Sequence, residues 1–314
     1  MSENYFKVTR PGINTTFQDS GRQQLHHVGI PTSGVMDQRN YILANKILQN
    51  ENNHPVLEFA YQGPKISYHG QTINFTVTGS VNFNIIKNNQ EIKGNCYQAN
   101  TLEDGDQLDI LSTDKSVYGY LSFSGKPVVN YQWKSCSTNT KAEIGANDGK
   151  KLELNQKILI QDIKRISKRS LNYINTKIEN IRVIKGTNFD YFSDDAKNIF
   201  FKKEFTVTKL TDRMGMRLEG EKLQNIIDTN IKSEGLVKGV IQVPADGNPI
   251  IMLSDHGTIG GYPKIATVIS ADFDKVVQLP PSSKIKFKQV NLNDAETIFK
   301  LYEMETTNLI SKIT

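Results

Sequence analysis

The sequence predicts a mainly β protein with a few short helices and one helix near its C-terminal end. Between Lys65 and Ile110, short apolar segments recur at close intervals, and residues that favour turns separate them. Apolar and polar residues alternate within these segments, as in Thr76–Thr78 and Phe83–Ile85, which is the period of a strand with one buried face. Repeated short strands of this kind favour a barrel or a sandwich over a parallel α/β sheet.

Strands are predicted on both sides of a polar, basic connection at residues 164–180. In the first half, residues 5–10 alternate as a strand that ends at a Pro-Gly turn, and Ser116–Ser124 forms a further strand. In the second half, Ile181–Ile184 and Phe205–Val207 have the same character. The chain therefore carries two sets of strands.

Three segments have helical spacing instead. Asp37 can cap a helix whose apolar residues recur at intervals of three and four up to Asn50. Residues 188–201 form a short pattern rich in aromatic side chains. The segment Asn293–Ile313 begins with acidic residues, which suits a helix N-terminus. We expect its apolar stripe to face the core or a partner, and the stripe consists of Ile298, Leu301, Met304 and Leu309.

Composition argues against several classes of function. The 314 residues include 38 Lys+Arg and 33 Asp+Glu, and the net charge of +5 is too small to predict nucleic-acid binding. The two cysteines and five histidines show no metal-ligand spacing, so no metal site is predicted. The N-terminus is polar and no run of 18 apolar residues occurs, so we expect a cytoplasmic protein without a membrane span.

The segment Lys238–Lys264 holds the clearest candidate site. Two apolar runs, Val240–Val243 and Ile250–Leu253, flank a turn with an Asp-Gly pair and two prolines, which predicts strand, turn and strand. The second strand then leads into Ser254, Asp255, His256, Thr258 and a Gly260-Gly261-Tyr262-Pro263-Lys264 turn. Polar side chains on a glycine-rich turn after a buried strand favour a ligand or catalytic site. The alternative is a hairpin whose polar residues stabilise a tight corner.

Two other segments carry candidate residues. Arg213 and Arg217 lie four residues apart around a glycine, so both guanidiniums would share a face and bind one anion. An ordinary network of ion pairs explains the same spacing. The glycine-punctuated segment Thr15–Asp37 is either a functional loop or an ordered wrap over the surface. Its candidate polar residues are Asp19, Arg22, Ser33 and Asp37.

Six motifs occur along the chain in this order: TTFQDSGR, GIPTSGVMD, LEFAYQGP, TDRMGMRLEG, SEGLVKGVIQVPADGNPI and DHGTIGGYPKIATVISADF. Their order and spacing closely resemble the biotin-dependent carboxyltransferase family, also called the allophanate hydrolase subunit 2 family. The resemblance covers about residues 8–292. Members of this family include the C-subunit of bacterial ATP-dependent 5-oxoprolinase, the sporulation regulator KipA and one half of the carboxyltransferase domain of urea carboxylase.

The resemblance implies two cyclophilin-like β-barrels. Residues 1–178 would form the first barrel with its loop-rich N-terminal motif, and residues 179–314 would form the second barrel with the terminal helix. It also implies an allophanate hydrolase subunit 1-like (KipI-like) partner, joined in 5-oxoprolinase by a LamB/YcsF-like subunit.

The activity implied by the resemblance is that of a hydrolase subunit acting on a small amide. In an ATP-dependent 5-oxoprolinase complex, the C–N amide bond of 5-oxoproline opens to give glutamate. Two alternatives stay open: a KipA-like regulatory binding protein, and the carboxyltransferase half of a urea carboxylase or allophanate hydrolase-type system.

Positions that match the family motifs are the candidate site residues of this chain. We interpret Asp255 as an acid or base. A carbonyl oxygen would be polarised by Gln242, by Tyr262 or by a backbone N–H of the Gly-Gly pair, and developing charge would be stabilised by an arginine or by Lys264. The predicted catalytic residues are Gln242, Asp255, Tyr262 and Lys264. The predicted substrate-binding residues are Asp19, Arg22, Ser33, Asp37, Arg213, Arg217, Asp246, Thr258, Gly260 and Gly261.

The chain departs from the family pattern in its first half. Lys134–Thr138 lacks the glycine and arginine of the corresponding family segment, and Gly149–Gln156 lacks most of the next pattern. We therefore expect an altered or lost site in the first barrel and retained chemistry in the second. The chain has no Met-Lys-Met biotin-attachment sequence and no nucleotide motif. Biotin would arrive on another protein, and ATP would bind at the level of the complex.

Overall fold

The computed structural model describes residues 3–173, 180–226 and 230–314, which divide into two compact units. Unit 1 comprises Met1–Arg22, Ser33–Asn175 and Thr306–Thr314. Unit 2 comprises Gln23–Thr32 and Thr176–Glu305. The predicted boundary between residues 178 and 179 lies outside the described residues, and the division into domains at that point stays a prediction.

Unit 1 contains two antiparallel sheets. Its strands are β1 Tyr5–Arg10, β2 Thr16–Gln18, β3 Val56–Ala60, β4 Lys65–His69, β5 Ile73–Thr78, β6 Val81–Lys87, β7 Gln90–Lys93, β8 Asn100–Leu102, β9 Gln107–Thr113, β10 Tyr118–Phe123, β11 Lys126–Pro127 and β12 Lys157–Gln161. The larger sheet has the order β11-β12-β1-β4-β9-β6-β7, and the smaller has the order β2-β3-β10-β5-β8.

The core of unit 1 follows from the alternation seen in its sequence. Along β4, Ile66 and Tyr68 are buried while their neighbours are half-exposed. Both of these residues join a cluster with side chains from the other strands, including Phe6 and Phe123, whose rings stack with centroids 4.3 Å apart. Burial of such apolar surface is the main force that holds the sheets together.

Unit 2 contains a closed barrel. Its strands are β13 Asn180–Lys185, β14 Phe205–Thr211, β15 Gly215–Glu219, β16 Glu234–Gly235, β17 Val240–Gln242, β18 Ile250–Met252, β19 Ile259–Gly260, β20 Lys264–Val268 and β21 Lys284–Gln289. The barrel order is β13-β20-β17-β18-β15-β14-β21, and β21 closes the ring by pairing in parallel with β13. The short strands β16 and β19 form a separate two-stranded ribbon.

Four α-helices accompany the strands among the described residues: α1 Gln38–Ile47, α2 Asp194–Lys202, α3 Ser270–Val277 and α4 Leu292–Ser311. Single 3-10 turns occur at His26–Val28, Ala146–Gly149 and Phe189–Tyr191. The predicted cap of α1 is confirmed, because the Asp37 carboxylate accepts a hydrogen bond from the Asn40 backbone at 2.9 Å. The mainly β fold with short helices and a helix near the C-terminal end is also confirmed.

Two of the four residues predicted as the apolar stripe of α4 lie on its exposed side, where contact with a partner stays a prediction. Leu301 and Met304 are 57% and 67% exposed. The other two pack inward: Ile298 lies with Tyr302 against the cluster of the buried Ala295, and Leu309 packs against a second cluster. The buried side of the helix also includes Ala295 and Thr306, which a search for large apolar residues overlooks.

Candidate active site

The strand–turn–strand structure predicted for Lys238–Lys264 is confirmed. Strands β17 and β18 pair in antiparallel fashion, with Ile241 opposite Ile251. Asp246 closes the turn by accepting hydrogen bonds from the backbone and side-chain amides of Asn248, at 3.1 and 3.0 Å. Partial burial raises the pKa of Asp246, but these hydrogen bonds and the charges of Lys222 and Arg217 together lower it overall. Asp246 thus has a local role in stabilising the turn.

The register of the barrel divides the predicted catalytic residues into two groups. Gln242, at the end of β17, pairs with Lys264 at the start of β20. Met252, the last residue of β18, lies at the other end of β17: its carbonyl accepts a hydrogen bond from the backbone N–H of Gly239, just before β17, at 2.8 Å. Asp255 follows Met252 by three residues and so lies at that end. Lys264 and Asp255 therefore lie at opposite ends of the short central strands. We call these groups the Lys264 cluster (Asn188, Glu234, Gln242, Lys264) and the Asp255 cluster (Arg213, Asp255, His256).

A buried ion pair forms the centre of the Asp255 cluster. Arg213 donates from Nε to one Asp255 carboxylate oxygen at 2.8 Å and from a terminal nitrogen to the other at 3.1 Å. The backbone N–H of Asp255 also donates to the Arg213 carbonyl at 2.8 Å. Both residues are buried, at 8% and 6% exposure. The bidentate geometry fixes the carboxylate in place and compensates the two buried charges.

His256 adds a neutral imidazole to this cluster. Its Nδ1 lies 2.6 Å from the Gly257 carbonyl oxygen, and its ring meets that of His26 edge to face with centroids 5.9 Å apart. Burial lowers the pKa of His256; His26 and Lys238 act in the same direction, while the Gly257 carbonyl and Asp255 oppose it. His256 is therefore neutral near pH 7, with Nδ1 as the hydrogen-bond donor.

The Lys264 cluster is built around a buried ammonium group. Lys264 is 4% exposed, and its Nζ donates to Oε2 of Glu234 at 2.6 Å. Its backbone N–H donates to the side-chain oxygen of Asn188 at 3.1 Å. The hydrogen bond from Lys264 lowers the pKa of Glu234, against a smaller opposing effect of desolvation. The ion pair therefore has one deeply buried partner and one partner near the surface.

Gln242 lies against the glycine-rich turn. It is 3% exposed, and its Nε2 donates to the Tyr262 carbonyl oxygen at 3.1 Å. A Cβ at Gly260 would lie 2.7 Å from that same nitrogen, so any side chain at this position would displace the Gln242 amide. The Tyr262 side chain is 39% exposed. Gln242 thus ties the turn to the end of the barrel.

The backbone of the turn is held by the ribbon of β16 and β19. The Thr258 carbonyl accepts a hydrogen bond from the Leu236 N–H at 2.9 Å, and the Gly261 carbonyl accepts one from Ile231 at 2.9 Å. Thr258 and Gly261 are half-buried. The ribbon therefore fixes the turn that precedes Lys264.

The two predicted arginines have different carboxylate neighbours. Arg213 contacts Asp255, whereas Arg217 is exposed on β15 and acts electrostatically on Asp246. The ion-pair alternative thus describes Arg213, while Arg217 has an electrostatic effect on Asp246 without a close ion pair. A role for either arginine in substrate binding stays a prediction.

In unit 1, Asp19 is the centre of a buried hydrogen-bond network. One carboxylate oxygen accepts from the Gly21 backbone at 2.9 Å and from the hydroxyls of Ser135 and Ser137 at 2.6 and 2.7 Å. The other accepts from the Cys136 backbone at 2.8 Å. Asp19 is fully buried. This network joins the loop after β2 to the segment that departs from the family pattern.

Arg22 and Cys136 complete the surroundings of Asp19. Arg22 is 1% exposed and donates a hydrogen bond to the Ser137 carbonyl oxygen. Burial, and next the Asp19 carboxylate, raise the pKa of the Cys136 thiol well above its usual value. The thiol is therefore protonated at neutral pH and is a poor nucleophile.

The remaining two candidates of unit 1 have structural contacts. Asp37 caps α1, and its own backbone N–H donates to the Tyr120 hydroxyl at 2.7 Å. Ser33 has a positive φ of 55°, and its hydroxyl accepts from the Asn139 side-chain amide at 3.3 Å. The structure places both residues in buried positions.

Sequence reasoning missed several residues of these networks. Asn188 precedes an aromatic run, and no pattern in a single sequence distinguishes it. Glu234 had a signal, since it is the second residue of the motif SEGLVKGVIQVPADGNPI. Ser135 and Ser137 had one signal, since they lie in the segment that departs from the family pattern.

No group of three or more His, Cys, Asp or Glu side chains is arranged to hold a metal ion in the described part of the chain. In the same residues, no helix has both the length and the apolar character that a membrane crossing requires.

Comparison with known proteins identifies the family. The family model for the carboxyltransferase domain, subdomain A and B, matches residues 28–289. The 5-oxoprolinase C-subunit of Escherichia coli (strain K12) is 30% identical, with 92% of each chain covered. The urea amidolyase of Lachancea kluyveri is 28% identical over 93% of this chain and 17% of its own length. The crystal structure of the K. lactis urea amidolyase has a TM-score of 0.88 and 24% identity, and covers 100% of this chain and 21% of its own.

These matches define a carboxyltransferase-type fold, and the last one supports the fold alone. The chain belongs to the carboxyltransferase domain family of subdomains A and B. Its relatives include the 5-oxoprolinase C-subunit and urea amidolyase.

Proposed function

We propose that this chain is a subunit of an ATP-dependent 5-oxoprolinase complex in the cytoplasm. The observation that carries the proposal is the match to the 5-oxoprolinase C-subunit of Escherichia coli, which covers 92% of each chain. A match of that extent includes the segments of both the Asp255 cluster and the Lys264 cluster. The relative is named as a subunit, so we infer that this chain also acts with partners.

The proposed reaction opens a lactam ring. Water adds to the carbonyl carbon of 5-oxoproline, the C–N bond breaks, the nitrogen leaves as the amine of glutamate, and the carbonyl becomes the side-chain carboxylate. ATP hydrolysis in the complex drives this step. The reaction requires a donor that stabilises negative charge on the carbonyl oxygen and a group that transfers protons.

The described residues offer both kinds of group, but in two separate clusters. Lys264 Nζ and the amide of Gln242 are buried donors at one end of β17, where hydrogen bonds act in a low dielectric. Asp255, positioned by Arg213, is the proposed proton-transfer group of the second cluster, at the opposite end of these strands. Tyr262, Thr258 and the Gly-Gly backbone would contact the substrate from the turn.

The partners that we propose are an allophanate hydrolase subunit 1-like protein and a LamB/YcsF-like subunit. ATP would bind to the complex, because the chain has no nucleotide motif of its own. The match to urea amidolyase of Lachancea kluyveri favours carboxyl transfer from biotin on another protein as the second candidate function. A KipA-like regulatory role stays a prediction without such a match.

Co-expression tests these functions directly. The chain and the two proposed partner subunits are purified together and supplied with 5-oxoproline and ATP, and glutamate release is measured. We expect glutamate in proportion to assembled complex, and none from this chain alone. A soluble, assembled complex that releases no glutamate would contradict the proposal. Supplying urea, bicarbonate, a biotinylated carrier and a biotin carboxylase that forms carboxybiotin, in place of 5-oxoproline, then tests carboxyl transfer to urea.

A further inference from the structure

The ion pair between Lys264 and Glu234 is unequal in burial. The side chain of Lys264 is 4% exposed, whereas that of Glu234 is 42% exposed. Their closest atoms lie 2.6 Å apart. A charge as deeply buried as this ammonium requires a counter-charge, because its desolvation costs several kcal/mol. Glu234 supplies that charge from the surface side.

The ammonium group of Lys264 can donate hydrogen bonds to further acceptors. Nζ carries three N–H donors, and among the described residues its one hydrogen-bond acceptor is Glu234 Oε2. The other polar groups of the cluster do not accept from Nζ: the Asn188 oxygen accepts from the Lys264 backbone, the Asn188 side chain also hydrogen-bonds Glu234, and Gln242 donates to the Tyr262 carbonyl. Glu234 thus supplies both the hydrogen-bond acceptor and the counter-charge of the ammonium group.

Glu234 is attached to a small element. It begins β16, which has two residues and pairs with the two residues of β19. The ribbon lies next to the glycine-rich turn through the hydrogen bond between Leu236 and Thr258. A side chain on such a short ribbon can rotate into water at small cost, since its released carboxylate regains full hydration.

We propose that Lys264 is the binding site for the carboxylate of the substrate, which leaves the Gln242 amide as the donor to its carbonyl oxygen, and that Glu234 occupies this site until the substrate displaces it. The inference deepens the proposed function and rests on it for the identity of the ligand. Exchange of one carboxylate for another keeps the buried ammonium compensated throughout. A neutral ligand cannot make that exchange, because it would leave the ammonium without a counter-charge. The site therefore selects small anions.

The experiment compares Glu234→Gln with the unchanged chain and uses three probes: 5-oxoproline, acetate and the neutral lactam 2-pyrrolidinone. Binding is measured by calorimetry on the full chain. A site that its own carboxylate fills nine-tenths of the time binds about tenfold more weakly than the open site. We therefore expect Glu234→Gln to bind 5-oxoproline about tenfold more tightly and 2-pyrrolidinone equally well. Adding Lys264→Met to this variant should remove the gain.

Glu221→Gln is the matched control, because Glu221 forms a 2.8 Å pair with Lys203 in which both side chains are more than half exposed. It should change no affinity. If Glu234→Gln strengthens acetate binding through Lys264 while 5-oxoproline does not bind, the inference holds and the proposed function fails. In the assembled complex, Glu234→Gln should lower KM for 5-oxoproline. If the complex with Glu234→Gln is active but its KM for 5-oxoproline is unchanged, and the variant chain binds carboxylates no more tightly, the inference is overturned. The proposed function stays intact in that case.

Discussion

Asp19 shows how a residue in a recognisable motif can have a structural role. The carboxylate accepts four hydrogen bonds from the backbone and from two serine hydroxyls, and the residue is fully buried. Such a carboxylate has little capacity left for a substrate. The sequence marked it as a candidate through its motif but gave no information about what would surround it.

Replacement of Asp19 tests that role. Asp19→Ala leaves the buried donors of Ser135, Ser137 and the Cys136 backbone without their acceptor, so we expect a loss of about 3 kcal/mol in the free energy of unfolding. Urea denaturation measures it. Ser135→Ala, which removes one of the donors, should cost about 1 kcal/mol. A stable Asp19→Ala chain whose complex is inactive would indicate a catalytic carboxylate instead.

His54 gives a prediction about pH. Burial lowers the pKa of His54 from 6.5 to about 4. The unfolded chain therefore binds the proton at a higher pH than the folded chain, so stability falls as the pH drops from about 6.5 to about 4. One titrating group contributes about 1.4 kcal/mol per pH unit, which gives about 3 kcal/mol over this window.

Urea denaturation at pH 7, 6 and 5 measures the effect. The difference in unfolding free energy between the unchanged chain and His54→Gln should shrink as the pH falls, because the variant lacks this proton-linked loss. His27→Gln is the control, since His27 is exposed. A difference that stays constant with pH would show that His54 is not the group responsible.

At the scale of elements, helix α1 shows what a sequence predicts well. Its cap depends on one residue type at one position, and the structure has that cap where Asp37 predicts it. The hairpin of β17 and β18 was predictable for the same reason, because its turn residues act locally. The exposure of Leu301 and Met304 on α4 could not be predicted in this way, because the buried face of a helix depends on residues distant in the sequence.

The cap of α1 can be separated from substrate binding, the other role predicted for Asp37. Asp37→Ala should lower the free energy of unfolding by about 1 kcal/mol, because the Asn40 N–H loses its acceptor. Asp37→Ser should restore most of it, because serine also caps helices. Thermal and urea denaturation of both variants measure this. If Asp37→Ser is as stable as the unchanged chain yet abolishes turnover, the carboxylate itself contacts the substrate.

At the scale of the whole molecule, the motifs predicted the family and the mainly β fold correctly, since both depend on many residues at once. They did not predict the contacts inside the site. Glu234 and Lys264 are 30 positions apart, and Arg213 and Asp255 are 42 apart. Such pairs are set by the register of the barrel, which a single sequence does not reveal.

The proposed chemistry should therefore lie in unit 2, while the Asp19 network of unit 1 has a structural role. In the assembled complex, we expect Lys264→Met and Asp255→Asn, both in unit 2, to lower turnover by about 100-fold or more, because each removes a charged group proposed to act on the substrate. Ser137→Ala, in unit 1, should lower stability yet leave turnover per assembled complex unchanged, because Ser137 contacts Asp19 in a network that we interpret as structural. Glutamate release per mole of complex, with assembly checked by size-exclusion chromatography, measures both. Full turnover in the two unit 2 variants, or its loss in Ser137→Ala at full assembly, would move the chemistry to unit 1.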